Sequence, residues 1–318
     1  VYQGARQVGS TFKPFVYATA IDQLRMSPCD SLPDTKHCIP ANKYGPDPWC
    51  PDNSNGKFSG EMMTLKRALA GSVNSITAKL IDDVGPANVV KLANKLGLNR
   101  EIPAVPSIAL GTWDYNVYDM VGAYGAFVNQ GVYVKPVMVT RIEDKNGTVL
   151  YEYVPETKDV MSKDVAYAMV NLMEGVTQPG ASGYRLRSRG ATSAEYKEII
   201  TGYPYEFKNP IAGKTGTTQN QSDGWFMGMV PNLVTGVWVG GEERATHFKG
   251  IRYGQGASMA LPIWGLYMKE NYANKDIGVS DKAFVKPKNM SINIDCAKVK
   301  KEMLEDAVPD EDLDDIDF

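Results

Sequence analysis

Three strand-like runs follow one another closely in the second half of the chain and limit the folds that it can adopt. They cover residues 210–218, 224–230 and 233–239, and Pro231-Asn232 supplies the turn between the last two. Connections this short join antiparallel neighbours. Helical periodicity precedes these runs and returns after them. The sequence therefore predicts an α+β fold, in which a helical subdomain packs on an antiparallel sheet.

Helical periodicity occurs in six stretches of the chain. They are residues 10–25, 61–82, 86–96, 114–129, 163–175 and 259–270. Residues 132–153 are instead rich in β-formers, and the run from Asp144 to Gly147 predicts a hairpin turn within them.

Two segments show no periodicity. Residues 27–60 contain six prolines, which predicts a long irregular loop. Residues 177–208 are rich in Gly, Ser, Arg and Tyr, which predicts an exposed insertion. We expect its arginines to be solvated rather than to form a binding site. They are Arg185, Arg187 and Arg189.

Charge and hydropathy exclude two classes of protein for the sequence in hand. The net charge of −3 over 318 residues is not that of a nucleic-acid-binding protein. No apolar run reaches the roughly 18 residues that a membrane-spanning helix needs. Because the first residue is Val1 rather than Met, we expect a piece of a longer protein whose membrane anchor lies upstream. The acidic tail from Lys300 onward is predicted to be disordered.

The four cysteines leave two interpretations open. Cys29, Cys38 and Cys50 cluster in the irregular loop, and Cys296 lies far away. There is no CxxC motif and the two histidines are distant from each other, so no zinc site is expected. Either a local disulfide forms in an oxidising compartment, or the thiols stay free or buried. The spacing does not decide the connectivity.

Ser10 and Lys13 form the first motif that carries chemistry. On a helix they share a face, so a lysine of lowered pKa could accept the proton of the serine hydroxyl. Gly9 is expected to let a substrate approach the backbone, and the helix start leaves N–H groups free to hold an oxyanion. A second copy at Ser54 and Lys57 lies in the irregular loop, and we interpret it as a decoy.

Two further motifs follow in the chain. Ser72 and Asn74, within or at the end of the stretch 61–82, could relay a proton and hold a substrate amide. Lys214 and Thr215 could bind a carboxylate, and Lys214 could lower the pKa of Lys13. Gly216 is expected to make room for a substrate strand. The copy of the second motif at Ser291 to Asn293 is expected to do nothing.

Ser-x-x-Lys, Ser-x-Asn and Lys-Thr-Gly in this order are the signature of serine β-lactamases and penicillin-binding proteins. The flanking residues resemble the transpeptidase domain of class A (bifunctional) penicillin-binding proteins over about 270 residues. The matching stretches are Arg6–Tyr17, Trp49–Asn53, Thr64–Asn74, Ala109–Gly111, Ala123-Tyr124, Asn129–Gly131, Gly213–Thr218, Asp223–Gly228, Val237–Gly240 and Pro262–Trp264.

The resemblance implies the transpeptidase fold of these proteins, with an antiparallel sheet flanked by helices and an all-helical subdomain. It implies a transpeptidase domain over 1–275 and a C-terminal extension over 276–318. Only nine residues precede Ser10, so we expect the N-terminal strands of the sheet to be missing, which puts the activity of this chain in question. The implied location is the periplasm or the outer face of the cytoplasmic membrane, with a glycosyltransferase domain upstream.

The resemblance also implies a role for each motif residue. Ser10 is the nucleophile and Lys13 its general base, while Ser72 and Asn74 shuttle protons and hold the peptide. The residues implied to bind substrate, including its carboxylate, are Lys214, Thr215, Gly216 and Thr217. The backbone N–H groups of Ser10 and Thr217 form the oxyanion hole. The implied activity is D,D-transpeptidation of peptidoglycan stem peptides, with acylation by β-lactams and with neither metal nor organic cofactor. Other cell-wall synthesis proteins are further expected partners.

Three alternatives stay open. A serine β-lactamase needs a base for deacylation, and neither Glu61 nor Glu174 lies in a suitable pattern. A β-lactam sensor domain shares the first motif, but the run from Arg6 to Ser10 argues against it. A non-catalytic scaffold would have no reason to keep all three motifs. Substitution of Ser10 separates the scaffold from the other functions.

Overall fold

The computed structural model describes residues 4–187 and 205–297. Its α-helices are α1 (Lys13–Leu24), α2 (Leu65–Ala70), α3 (Asn74–Val84), α4 (Pro86–Lys95), α5 (Val117–Val128), α6 (Lys163–Val176), α7 (Ile251–Gly254) and α8 (Gly256–Ala273). Its strands are β1 (Arg6–Gln7), β2 (Ser31–Pro33), β3 (Met62–Thr64), β4 (Asp114–Tyr115), β5 (Val132–Val134), β6 (Arg141–Glu143), β7 (Val149–Glu152), β8 (Thr157–Asp159), β9 (Ala212–Thr217), β10 (Asp223–Val230) and β11 (Leu233–Gly240). The predicted α+β class is confirmed.

The three late strands form one antiparallel sheet in the order β11-β10-β9, as the short connections predicted. Every residue of the central strand β10 is buried. One face of the sheet packs on α8, where Phe226 and Trp264 meet edge to face. The outer edge of β11 pairs with no other strand in the described parts of the chain.

Helix α1 is the centre of the helical subdomain. Its residues from Lys13 to Ile21 are all buried, because α3, α4 and α6 surround it. A helix that is buried on every side is expected to be apolar on every side. Lys13 is its buried charged residue, and its burial therefore needs polar partners. Across residues 4–187 and 205–297, no helix is both long and apolar enough to span a lipid bilayer.

The predicted continuous helix over 61–82 is wrong. The segment contains the short strand β3, helix α2, a sharp turn at 71–73 and then helix α3. Ser72 N donates to Leu69 O and Val73 N to Ala68 O, which is the hydrogen-bond pattern of a Schellman motif. Ser72 occupies the left-handed position of that motif, with φ at 55°, where glycine is usual. The turn breaks the helix and presents the second motif at its corner.

The β-rich segment 132–153 is only partly as predicted. The turn from Asp144 to Gly147 joins β6 and β7 into a hairpin, which confirms that prediction. Strand β5 instead pairs with β8, outside the hairpin. Most of the irregular loop 27–60 lacks helices and strands, as predicted, and β2 pairs with β3 beyond it.

All four cysteines form disulfides, which decides between the two interpretations left open by the sequence. Cys38 pairs with Cys50 inside the irregular loop, and Cys29 pairs with Cys296. The second bond ties the C-terminal extension to the loop that follows α1. Phe284 of the extension is also buried against the core. The domain boundary at residue 275 stays a prediction.

The prediction of solvated arginines is wrong for Arg185 and Arg187. Arg185 is buried and donates to Ala257 O. Arg187 donates to the carbonyl oxygens of Phe207 and Asn209. Both guanidinium groups thus donate to backbone oxygens of the folded chain. Arg189, most of the predicted insertion and the acidic tail from Lys300 lie outside the described residues.

Candidate active site

The structure brings the three motifs together in one cleft of ≈ 750 Å³. Ser10 reaches it from the start of the helical subdomain, Ser72 and Asn74 from the corner before α3, and Thr215 and Thr217 from β9. Another concavity of ≈ 630 Å³, beside Arg100 and Tyr133, contains none of the predicted residues.

Ser10 lies in a short 3-10 helix, Gly9–Phe12, which leads into α1. Gly9 has φ at 54°, and a Cβ on it would lie 2.6 Å from Thr217 O. Glycine is therefore needed here so that the nucleophile segment can pack directly on the end of β9. We expected Gly9 to leave room for a substrate. In the structure it leaves room for the protein's own backbone at Thr217.

Lys13 is fully buried, and its ammonium group is surrounded by oxygen atoms of the second motif. Nζ donates to Ser72 O at 2.6 Å, to Asn74 Oδ1 at 2.6 Å and to Ser72 Oγ at 3.3 Å. Within the described residues, no hydrogen bond joins Lys13 to Ser10. The helical spacing suggested that the two side chains approach each other, but a hydrogen bond between them is not formed in this conformation.

Lys214 approaches the same atoms from the sheet. It is fully buried, and Nζ donates to Ser72 Oγ and to Thr215 O, both at 2.9 Å. Burial lowers the pKa of Lys214 to about 7. Burial also lowers the pKa of Lys13, and the charge of Lys214 lowers it further. Amines whose pKa is lowered in this way are better suited to accept a proton than an ordinary lysine, which stays protonated.

The hydroxyl of Ser72 stands between the two lysines. A hydroxyl has two acceptor lone pairs and one hydrogen to donate. Because Lys13 and Lys214 both donate to Ser72 Oγ, its own hydrogen stays free to be donated to a further group. This is the arrangement that a proton relay requires.

The third motif lies on β9. Thr215 Oγ1 donates to Ser182 Oγ at 3.0 Å, and both residues line the cleft. Thr217 Oγ1 accepts a hydrogen bond from Gly256 N at 3.1 Å. A Cβ on Gly216 would lie within 3 Å of Val8 O, Thr11 Cγ2 and Trp225 Cβ. Gly216 is therefore needed for packing beneath the cleft, and contact of its backbone with substrate stays a prediction.

Sequence reasoning missed Ser182. It lies in the first part of the predicted insertion, and its N–H is fixed to Ala70 O at 3.0 Å, at the end of α2. No local pattern distinguishes it from the other serines of that segment. Only the packing of this segment against α2 and β9 places its hydroxyl beside Thr215.

The N–H groups predicted to form the oxyanion hole belong to two backbone segments that pack against each other. Ser10 N belongs to the first turn of the 3-10 helix, where N–H groups have no partner within the helix. Thr217 ends β9, and both residues line the cleft. The contact of Gly9 with Thr217 brings these two backbone segments together.

The two motif copies differ from the site in their surroundings. Ser54 and Lys57 are both exposed, in a turn at the rim of the cleft. Ser291 donates to Asp164 Oδ2 and lies away from the cleft. In the described ranges, no group of three His, Cys, Asp or Glu side chains is placed to hold a metal ion.

Comparison with known proteins identifies the family. The family model for the penicillin binding protein transpeptidase domain matches residues 1–242, and this chain belongs to that family. Penicillin-binding protein 1A of Aquifex aeolicus is 34% identical over 294 residues, which are 91% of this chain and 36% of the relative. Penicillin-binding protein 2D of Bacillus subtilis is 30% identical over 289 residues, 91% of this chain and 38% of the relative. The chain thus spans little more than a third of these relatives.

Solved structures agree on the fold. Penicillin-binding protein 1A from Haemophilus influenzae superposes with a TM-score of 0.73 at 24% identity, over 91% of this chain and 45% of that one. The penicillin-binding protein PonA1 from Mycobacterium tuberculosis gives 0.72 at 22% identity, over 92% of this chain and 74% of that one. A further structure of PonA1 is a complex with penicillin V, with a TM-score of 0.69 at 22% identity, over 91% of this chain and 74% of that one.

Proposed function

We propose that this chain is the D,D-transpeptidase unit of a peptidoglycan synthase and is acylated by β-lactams at Ser10. The observation that carries the proposal is the convergence of Lys13 and Lys214 on Ser72 Oγ in the cleft that Ser10 also lines. A serine, two amines of lowered pKa and a bridging hydroxyl supply a nucleophile, a base and a proton relay.

The first half-reaction forms the acyl-enzyme. Neutral Lys13 accepts the Ser10 proton, and Ser10 Oγ bonds to the carbonyl carbon of the penultimate D-alanine. The oxyanion is held by the N–H groups of Ser10 and Thr217. The terminal D-alanine leaves after its nitrogen receives a proton through Ser72, while Lys214 and Thr215 bind its carboxylate. A β-lactam takes the same course, except that its ring nitrogen stays attached after the bond breaks.

The second half-reaction forms the cross-link. An amine of a neighbouring stem peptide attacks the acyl carbon, its proton passes to the relay, and Ser10 Oγ leaves with a proton from Lys13. The glycosyltransferase domain, membrane anchor and periplasmic location belong to the longer protein that we propose. Its relatives carry more than twice the length of this chain.

Hydrolysis of the acyl-enzyme would need a base near Ser10. Glu61 pairs with Arg67 at the surface, and Glu174 lies beside Lys66 and Arg187. Neither lines the cleft in the described residues; the carboxylate that does is Asp52, whose Oδ1 lies 3.6 Å from Lys36 Nζ. This distribution of carboxylates favours a long-lived acyl-enzyme over a β-lactamase.

The test is intact-mass spectrometry of the chain with a fluorescent penicillin over time. We expect a stable adduct on the peptide that contains Ser10, lost in Ser10→Ala and kept in the matched control Ser54→Ala. Release of penicilloate would indicate a β-lactamase. If neither this chain nor a version extended upstream is labelled, the proposed function is wrong.

A further inference from the structure

Helix α3 begins without a side-chain cap of its own. Its N-cap residue is Val73, which has no polar side chain to accept from the first-turn N–H groups. The cap comes from the irregular loop instead: Asn53 Oδ1 accepts from Asn74 N at 2.9 Å and from Ser75 N at 3.1 Å. The first turn of α3, which carries Asn74, is therefore fixed to Asn53.

Asn53 is held in one orientation by a buried carboxylate. Its Nδ2 donates to Asp34 Oδ1 at 2.7 Å and to Lys57 O at 2.9 Å. A flipped amide would direct its oxygen at the Asp34 carboxylate and its nitrogen at two N–H donors. Only the observed orientation satisfies all four contacts.

Asp34 is itself fixed from several sides. The residue is 4% exposed. Oδ1 accepts from Ser75 Oγ at 2.6 Å, and Oδ2 accepts from the N–H and the hydroxyl of Ser59, both at 2.9 Å. Because a buried carboxylate is costly unless it is fully hydrogen-bonded, this network rigidly specifies the position of Asn53.

The neighbouring residue fixes the side chain of Asn74. Asp52 O accepts from Asn74 Nδ2 at 2.7 Å, so Asn74 Oδ1 faces Lys13 Nζ at 2.6 Å. The dipeptide 52–53 thus fixes both the backbone and the amide group of Asn74. Residues before it are anchored by the Cys38–Cys50 disulfide and by the paired backbone of Ile39 and Trp49.

We propose that Asp34 and Asn53 are positioning residues for acyl transfer, which hold Asn74 in hydrogen-bonding contact with Lys13. Neither touches the reacting atoms, and both act through the first turn of α3. The proposal rests on the proposed function, because it assumes that Lys13 is the base that activates Ser10. It predicts a defect in the chemical step rather than in penicillin binding.

The test separates binding from chemistry. Stopped-flow acylation by a fluorescent penicillin gives the acylation rate constant and the Kd of the noncovalent complex over a range of pH. For Asn53→Ala we expect a roughly 100-fold lower rate constant, as for a displacement of about 1 Å. Kd should change less than about threefold, and the pH profile should shift because Lys13 loses a fixed acceptor. The matched control is Asn55→Ala, an exposed amide two residues away that accepts from Lys57 N and makes no hydrogen bond to α3.

An exchange of the two residues keeps the test decisive if Asn53→Ala fails to fold. Asn53→Asp should be defective, because it places two carboxylates against each other. Adding Asp34→Asn should restore part of the acylation rate, because an amide at position 34 can donate to the carboxylate at position 53, while the contact with Lys57 O stays lost. A double variant no better than Asn53→Asp would overturn the inference.

Two outcomes distinguish this inference from the proposed function. If the wild-type chain is acylated and a folded Asn53→Ala keeps its rate constant and pH profile, the positioning role alone is wrong. If the wild-type chain, including a version extended upstream, is never acylated, the proposed function and the inference both fail.

Discussion

Lys13 of the helical subdomain and Lys214 of the sheet donate hydrogen bonds to the same atom, Ser72 Oγ, at 3.3 and 2.9 Å. Both side chains are fully buried. Two like charges this close in a buried site disfavour double protonation, so they titrate as a coupled pair. The interface between the helical subdomain and the sheet thus also determines the proton affinities of Lys13 and Lys214.

Lys214→Gln should move the pH dependence of acylation to higher pH. The charge of Lys214 lowers the pKa of Lys13, so its removal raises that pKa. Lys13 then stays protonated, and inactive as a base, up to a higher pH. Acylation rate constants from pH 5 to 10 measure the shift, and glutamine can still donate to Ser72 Oγ. If the rate constant of the variant falls on the acid side at the same pH as in the wild type, or at a lower pH, the coupling between Lys214 and Lys13 is contradicted.

The same variant should change how stability depends on pH. Burial lowers the pKa of Lys214 from 10.5 to about 7. At pH values between these two pKa values, the unfolded chain binds more protons than the folded chain. The contribution of Lys214 to the free energy of unfolding therefore rises with pH over this range. Below about pH 7 the full cost of burying the charged amine remains. We expect Lys214→Gln to raise the free energy of unfolding by on the order of a few kcal/mol near pH 7. Urea unfolding should show this gain shrinking towards pH 10; a constant difference would contradict it.

Ser72→Gly should stabilise the fold relative to Ser72→Ala while both variants lose acylation. Ser72 has φ at 55°, a conformation that costs a residue with a Cβ about 1 kcal/mol or more. Alanine keeps this cost and glycine removes it, whereas both lack the hydroxyl. Thermal unfolding should place the glycine variant about 2 °C or more above the alanine variant. Acylation should fall by roughly 100-fold or more in both. Equal melting temperatures would show that the turn is not strained.

Gly9→Ala should damage both stability and acylation. Its Cβ would meet Thr217 O at 2.6 Å in a left-handed conformation, so Ser10 and β9 must move apart. We expect a loss of about 1–3 kcal/mol in the free energy of unfolding. Gly4→Ala is the control, because a Cβ there meets no atom within 4 Å. Chemical unfolding and penicillin labelling of both variants would check this, and a fully active Gly9→Ala would contradict the packing argument.

Loss of either disulfide should destabilise the chain. The Cys38–Cys50 bond spans a sequence separation of 12, for which loop closure contributes about 3 kcal/mol. The Cys29–Cys296 bond spans a sequence separation of 267, for which the same relation gives about 5.6 kcal/mol. Paired Cys→Ser variants, compared by urea unfolding, should follow this order. Removal of Cys38–Cys50 should also slow acylation, because that bond anchors the loop beside the site.

The sequence predicted those features that depend on neighbours along the chain. The positions of α1 and of the hairpin between β10 and β11 follow from apolar periodicity and from Pro231-Asn232. The predicted continuous helix over 61–82 is wrong for a reason that is also local. The residues of α2 and α3 share a helical pattern, but the turn between them places Ser72 in a left-handed conformation that local propensity disfavours.

By itself, the sequence determined the order of the three motifs and the antiparallel class of the sheet, because both depend only on residues that are close together along the chain. Only the tertiary structure decided that Lys13 and Lys214 share Ser72 Oγ, that Ser182 meets Thr215, and that Asn53 caps α3. These contacts join residues between 21 and 142 positions apart. Such pairings arise when buried polar groups must find partners inside a packed core, and the chain's local preferences do not specify them.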